Sequence, residues 1–190
     1  MSDVTEVASA ATLAEERGLL PQPRANMVAV EIASTSADAF KALVAAVAKT
    51  VSSVDDPEFP GVSIVALGML HDISASDDVI RIELIPTYSG CPALEYIGSD
   101  VVAAVQALAP GYDVAVAWRR DLPWSTDRLA PGTSTALATE FAVTLRGSDG
   151  SLRCPVCGSS DVVERSPIGP TRCRSVSWCE QCRNVIEVMR

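Results

Sequence analysis

This sequence is poor in histidine, in aromatic rings and in positive charge, and each shortage closes off a class of function. One histidine, His71, stands among its 190 residues. A nucleophilic hydrolase of the Cys–His kind needs an imidazole base beside its nucleophile. His71 falls at a strand end next to Asp72, where a surface or turn role is the simpler reading. Aromatics are 5% of the chain, so its core must be aliphatic. Lys and Arg number 15 against 24 Asp and Glu, a net charge of −9. Phosphate backbones and anionic membrane surfaces attract the opposite sign, so neither nucleic acid nor membrane is expected as a partner. No apolar run approaches the ~18 residues needed to cross a bilayer. The opening residues, Met1 to Glu6, lack the basic n-region of a secretory signal. The expectation is a cytoplasmic protein in a reducing compartment.

What the chain does have is six cysteines. Four of them form two CxxC knuckles, Cys154–Cys157 and Cys179–Cys182, with 21 residues between. That spacing is close to the pattern of four-thiolate zinc sites. The last forty or so residues hold too few apolar groups to fold unaided, and a segment of that size usually relies on metal or disulfides. A structural zinc ribbon is the first reading. Two disulfides are disfavoured by the expected compartment. A rubredoxin-type iron centre or an iron–sulfur cluster stays open, because the same ligands serve those metals.

The rest of the pattern divides into a leader over 1–34, a core over 35–145, and a linker with the cysteine module over 146–190. In the leader, residues 6–17 suit a short helix, and prolines 21 and 23 then break the chain. In the core, Ser36 suits an N-cap. Phe40, Leu43, Val44, Val47 and Val51 then recur at helical spacing. Residues 62–70 read as a β-rich run and 74–78 as a polar turn. Ile80, Ile82 and Leu84 alternate with Arg81 and Glu83, as in a half-buried strand. Leu94, Ile97, Val101, Val105 and Leu108 mark a second helix. Val114, Val116 and Trp118 mark a further strand, and 134–141 a short last helix. The order α-β-β-α-β predicts an α/β fold, with helices covering one face of a short mixed sheet. Residues 146–151, rich in Gly and Ser, read as a flexible linker.

Cys91 is the sharpest feature of the core. It precedes Pro92, and proline favours the first turn of a helix. A thiol at a helix entrance is expected to have a lowered pKa. Thr87 and Ser89 add hydroxyls to the same loop, and Asp56 could reach it if the first helix packs nearby. The plainer alternative, a small hydrophobe plugging the helix entrance, stays open. Two other features are ambiguous. The stretch Trp118 to Trp124, with Arg119 and Arg120, either stacks on a partner or caps a core edge. Cys173 lies inside the ribbon but outside its knuckles, and is packing, an alternative ligand or a second reactive thiol.

Taken together, Asp56-Pro57-Glu58, residues 63–68, and Pro86 through Thr87 and Cys91 to Ala93 resemble the SufT-like family of iron–sulfur assembly domains. Pro123 to Asp127 and the terminal knuckles narrow the likeness to the PaaD (PaaJ) family. The resemblance covers residue 38 to the C-terminus. It implies that Asp56, Thr87 and Cys91 are the working residues, with Cys91 the reactive thiol and a transient contact for iron or a cluster. It implies structural Zn2+ at Cys154, Cys157, Cys179 and Cys182. The implied role is maturation of iron–sulfur proteins, with the reductase of a phenylacetyl-CoA epoxidase as client and other oxygenase subunits as partners. One thiolate does not hold a cluster alone, since clusters take about four cysteine ligands. The remainder would come from a dimer mate, a scaffold or the client. The alternative is a non-catalytic interaction subunit or adaptor of the same oxygenase. The sequence departs from the family pattern in having Arg183-Asn184 where a glycine often follows the second knuckle.

Overall fold

A computed structural model describes residues 8–9, 36–76, 78–147 and 149–189. Most of the 1–34 leader lies outside these residues. Within it, Ala8–Ser9 (β1) is a two-residue strand, where the sequence suggested part of a helix.

Helix α1 spans Ser36–Val51. Its 3.6-residue apolar stripe buries Val44, Val47 and Val51, each at most 2% exposed. A small hairpin follows, β2 (Asp55–Asp56) against β3 (Phe59–Ser63). Strands β4 (Leu70–Ser76) and β5 (Val79–Leu84) form an antiparallel pair. Helix α2 (Leu94–Leu108) then crosses over, and β6 (Asp113–Trp118) joins β5 in parallel. The sheet order is β1-β4-β5-β6. In β5 the alternation is as expected: Ile80, Ile82 and Leu84 are fully buried, and Arg81 and Glu83 face the other side. Helix α1 packs on β4, and α2 packs on α1 and β6, so this is a two-layer α/β unit. An all-aliphatic interior of this kind gains about 1.5–3 kcal/mol for each Val, Leu or Ile fully removed from water.

Two segments differ from the sequence reading. Residues 62–70 are not one strand. Strand β3 ends at Ser63, and 64–68 form consecutive turns. Their side chains are nonetheless core: Ile64 and Leu67 are fully buried. A run of buried apolar residues looks alike in a strand and in a turn folded against the core. Gly68 makes the turn with φ +71°, and a methyl group there would meet the backbone of Arg128. Three donors clamp the turn from outside. Trp124 Nε1–H donates to the Leu67 carbonyl at 2.8 Å. The Arg128 guanidinium donates to the carbonyls of Gly68 and Leu70 at 2.7 and 2.9 Å. The second difference is at 74–76, which continue β4 and pair with β5 residues 79–81 instead of forming a polar turn.

Helix α3 (Thr133–Phe141) leads into β7 (Val143–Leu145). Residues 146–151 close a hydrogen-bonded turn, with Gly147 N–H on the Ser151 carbonyl at 2.8 Å. Strands β8 (Val162–Ser166), β9 (Arg174–Cys179) and β10 (Val185–Met189) complete a second sheet, ordered β7-β10-β9-β8. Strand β7 pairs with β10 in parallel, and the other pairs are antiparallel. Leu137, Val143 and Met189 belong to the same apolar core as α1 and α2. The distal end of this second unit has only Cys154, Cys179 and Ile186 as its own buried cluster. Three buried residues cannot offset the entropy of ordering some forty, at about 1–2 kcal/mol per residue for backbone alone. That end of the chain needs a cross-link.

Candidate functional site

The cross-link is the cysteine quartet. Cys154 and Cys157 sit on the loop before β8, and Cys179 and Cys182 on the β9–β10 turn. Their four sulfur atoms lie within 4.8 Å of one another. The Cys154–Cys182 and Cys157–Cys179 sulfur contacts are both 3.6 Å, and all six cysteines are free thiols. A disulfide would need about 2.05 Å. A tetrahedron of sulfurs around zinc, with Zn–S near 2.3 Å, has edges of ~3.8 Å. The quartet therefore fits a tetrahedral thiolate-bound metal, and zinc there would supply structural cohesion. Each knuckle closes the same way. Gly158 N–H donates to the Cys154 carbonyl at 2.8 Å, and Arg183 N–H to the Cys179 carbonyl at 2.9 Å. Both residues occupy the left-handed region, at φ 74° and 59°. The departure noted at Arg183 thus leaves the turn intact but places a side chain where glycine is unstrained. The Asn184 side-chain amide also donates to Cys182 Sγ at 3.5 Å.

The second group of residues lies around the β2–β3 hairpin. Its turn is Pro57-Glu58, closed by Glu58 N–H donating to Asp56 Oδ1 at 2.8 Å. This is an Asx-type turn, in which the aspartate side chain mimics backbone. Asp56 is buried, at 7% exposure. Burial raises its carboxyl above the usual range. The Glu58 N–H bond opposes that, the Glu58 charge adds to it, and Arg174 opposes it.

Cys91 is half-buried on the loop between β5 and α2. Its N–H donates to the Tyr88 carbonyl at 3.1 Å, and its carbonyl accepts from Leu94 N–H at 3.4 Å. Helix α2 begins at Leu94, so Cys91 stands before the helix and not at its cap. The expectation of a lowered thiol pKa is overturned. Burial raises it, and the charges of Glu58 and Asp56 raise it further. The N–H groups of Ala93 and Leu94 do favour the thiolate, as a helix entrance should, but they are outweighed. Asp56 and Cys91 are nonetheless close enough for their charges to interact. Thr87, half-buried on the same loop, shares no hydrogen bond with either among the described residues.

Two participants escaped the sequence reading. Glu58 acts electrostatically on both Asp56 and Cys91. Cys173, just before β9 and 4% exposed, donates its Sγ–H to Glu58 Oε2 at 2.7 Å. The only signal for Cys173 in the sequence is arithmetic: it is the one thiol left after the quartet and Cys91. The Trp118–Trp124 stretch braces a core edge. Arg119 binds Glu83 at 2.7 Å and Asp121 at 2.8 Å, and holds the exposed Asp121 carboxyl at about 2. Among the described residues no helix is long and apolar enough to cross a membrane.

A two-layer α/β domain with a loop cysteine facing an Asp-Pro-Glu hairpin, joined to a four-cysteine ribbon, defines a class: an iron–sulfur assembly domain with a zinc-binding module. Comparison with known proteins agrees on both parts. Residues 44–118 match the family model described as iron–sulfur cluster assembly protein, and 138–190 match the PaaD zinc beta ribbon domain. A curated relative from Escherichia coli (strain K12) is 28% identical over 149 residues, 74% of this chain and 88% of its own length. It is named as a component, the one lettered D, of a "Putative 1,2-phenylacetyl-CoA epoxidase". The crystal structure of a domain of unknown function from Bacillus anthracis superposes with a TM-score of 0.51 at 29% identity, covering 55% of this chain and 99% of that one. The chain belongs to the PaaD family.

Proposed function

We propose that this protein is an accessory factor for iron–sulfur cluster assembly or insertion, serving a phenylacetyl-CoA epoxidase in phenylacetate degradation. The client is the reductase component, and the other oxygenase subunits are partners. The observation that carries the reading is the convergence of the Cys91 loop and the Asp56–Glu58 hairpin in a domain of the iron–sulfur assembly class. The curated relative, an epoxidase component by name, supports the pathway.

Cys91 is the thiol that takes the iron cargo. Its raised pKa does not oppose this, because a coordinating metal removes the thiol proton outright. In the uncharged state the raised pKa keeps the sulfur protonated and slow to oxidise or alkylate. Asp56 biases the local charge, and Thr87 offers a hydroxyl to the cargo's sulfur atoms. Zinc at Cys154, Cys157, Cys179 and Cys182 has a structural part only. The remaining cluster ligands come from outside this loop.

The test is the cluster content of the client. In a strain carrying Cys91→Ala, the reductase should accumulate without its cluster, while the variant keeps its fold and its zinc. A fully loaded client would overturn the reading. If the components still co-purify in that case, the protein is an adaptor of the oxygenase.

A further inference from the structure

The ribbon reaches into the assembly domain at one point, and there it delivers a thiol. Cys173 Sγ lies 2.7 Å from Glu58 Oε2, and Thr171 Oγ1 lies 3.1 Å from the same sulfur. Glu58 belongs to the hairpin turn that Asp56 closes. Its charge also bears on Cys91, and the Cys91 and Cys173 thiols interact electrostatically with each other. Two thiols and two carboxylates, drawn from three separate segments of chain, thus surround one spot. Cys173 and Asp56 there are 4% and 7% exposed. Simple packing does not account for the composition, because burying carboxyl groups and a thiol side by side costs free energy that apolar residues would not. Arg174, the next residue, adds a cation. It donates to the Glu58 carbonyl at 3.2 Å, and its Nε is buried without an acceptor among the described residues.

We infer that Cys173 is the second thiol ligand of the site at Cys91: iron cargo on the assembly domain is gripped from the ribbon side by Cys173, with Glu58 as the adjoining carboxylate ligand. This rests on the proposed function and specifies its site. It gives the zinc ribbon a direct part in holding cargo. It also supplies from within one chain a ligand that Cys91 lacks.

The chemistry balances without a redox partner. Each metal–sulfur bond replaces an S–H bond, so binding a divalent ion at Cys91 and Cys173 releases two protons. Glu58 stands where it can accept the proton of Cys173 and pass it to water. Among the described residues only the ribbon quartet already has its donor atoms within 4.8 Å of one another. The two-thiol site therefore closes on its ion, through the 87–92 loop that carries Cys91.

The probe is Co(II), added anaerobically to the full-length, zinc-loaded protein. Cobalt binds thiolate sites more weakly than zinc, so the quartet keeps its zinc; zinc release is monitored to confirm this. The expected result is one cobalt per chain beyond the zinc, with thiolate charge-transfer absorption. Cys173→Ser should halve that absorption and weaken binding by about tenfold or more, on the scale of losing a supporting ligand. Cys91→Ser should do the same, and the double variant should abolish the signal. Zinc content of each variant reports whether its ribbon folded. In the unmodified protein, bound cobalt should also protect both Cys91 and Cys173 from alkylation, read by mass spectrometry, which needs no variant. Protection of Cys91 with Cys173 left reactive would overturn the inference and leave the assembly function standing. No cobalt beyond the zinc would overturn the inference too. A client fully loaded in the Cys91→Ala strain would remove the proposed function instead.

Discussion

Arg174 of the ribbon lies flat over the ring of Phe59 in the hairpin, its guanidinium carbon 4.3 Å from the ring centroid. The edge of Phe141 meets that ring at 84°, with centroids 5.2 Å apart. Arg174 also pairs with Glu187 at 2.8 Å and faces Glu58 Oε2 at 3.7 Å, and its side chain is 11% exposed. One side chain therefore ties the last strand, the hairpin and the core together.

Arg174→Ala should destabilise the protein by about 3 kcal/mol, because it strands two partly buried carboxylates and uncovers an aromatic face. Denaturant melts of the zinc-loaded protein measure this. Arg174→Lys should recover only part of the loss, since an ammonium neither stacks as a plane nor bridges two acceptors as a fork.

The metal prediction follows from the thin distal core. Elemental analysis should give one zinc per chain. Chelation should remove hydrogen-exchange protection from 151–189 and also from the 55–63 hairpin, which Cys173 and Arg174 hold from the ribbon side. Protection in α1, α2 and β5 should persist. A hairpin unaffected by chelation would show that these contacts do not couple the two units.

Arg183→Gly should stabilise the ribbon by about 1 kcal/mol, the cost of a left-handed conformation in a residue with a Cβ. The gain should appear as slower zinc loss to a competing chelator. Gly158→Ala, at the matching turn of the first knuckle, should speed that loss.

Asp56 sets a pH dependence of definite sign. Burial raises its folded carboxyl above the ordinary value of 3.8. The folded state then holds its proton more tightly than the unfolded chain does, so Asp56 favours folding below 3.8. That contribution fades as pH rises through the raised value. Asp56→Asn keeps an acceptor for Glu58 N–H and removes the buried charge. The variant should be at least as stable as the parent at pH 7, and its advantage should disappear below pH 4. Paired denaturant titrations at pH 4 and pH 7 check the crossover.

Periodicity was a good guide wherever a face was repeated. Helices α1 and α2 and strand β5 follow from the spacing of Val44, Val47 and Val51, of Ile97, Val101 and Val105, and of Ile80, Ile82 and Leu84. The 64–68 turns were illegible because Ile64 and Leu67 are buried by contacts from Trp124 and Arg128, some sixty residues away. The environment of Cys91 was misread for a similar reason. A proline after a cysteine is a local cue for a helix entrance, but the nearby charges belong to Asp56 and Glu58, on a hairpin whose approach no local pattern encodes. The quartet was readable from spacing alone, because thiolate geometry leaves few ways to arrange two knuckles. Cys173 was visible as a leftover but not as a neighbour of Glu58, a contact between residues 115 apart in the chain.

The parallel seam between β7 and β10 has a practical consequence for anyone recombining these modules. A cut at the Gly147–Ser151 turn looks natural from composition, yet it would strip β10 of its partner and bare a row of unpaired amides along Val188 and Met189. Such an edge invites sticking to other chains. A graft meant to keep its zinc and remain monodisperse should carry α3 and β7 along, starting no later than Thr133.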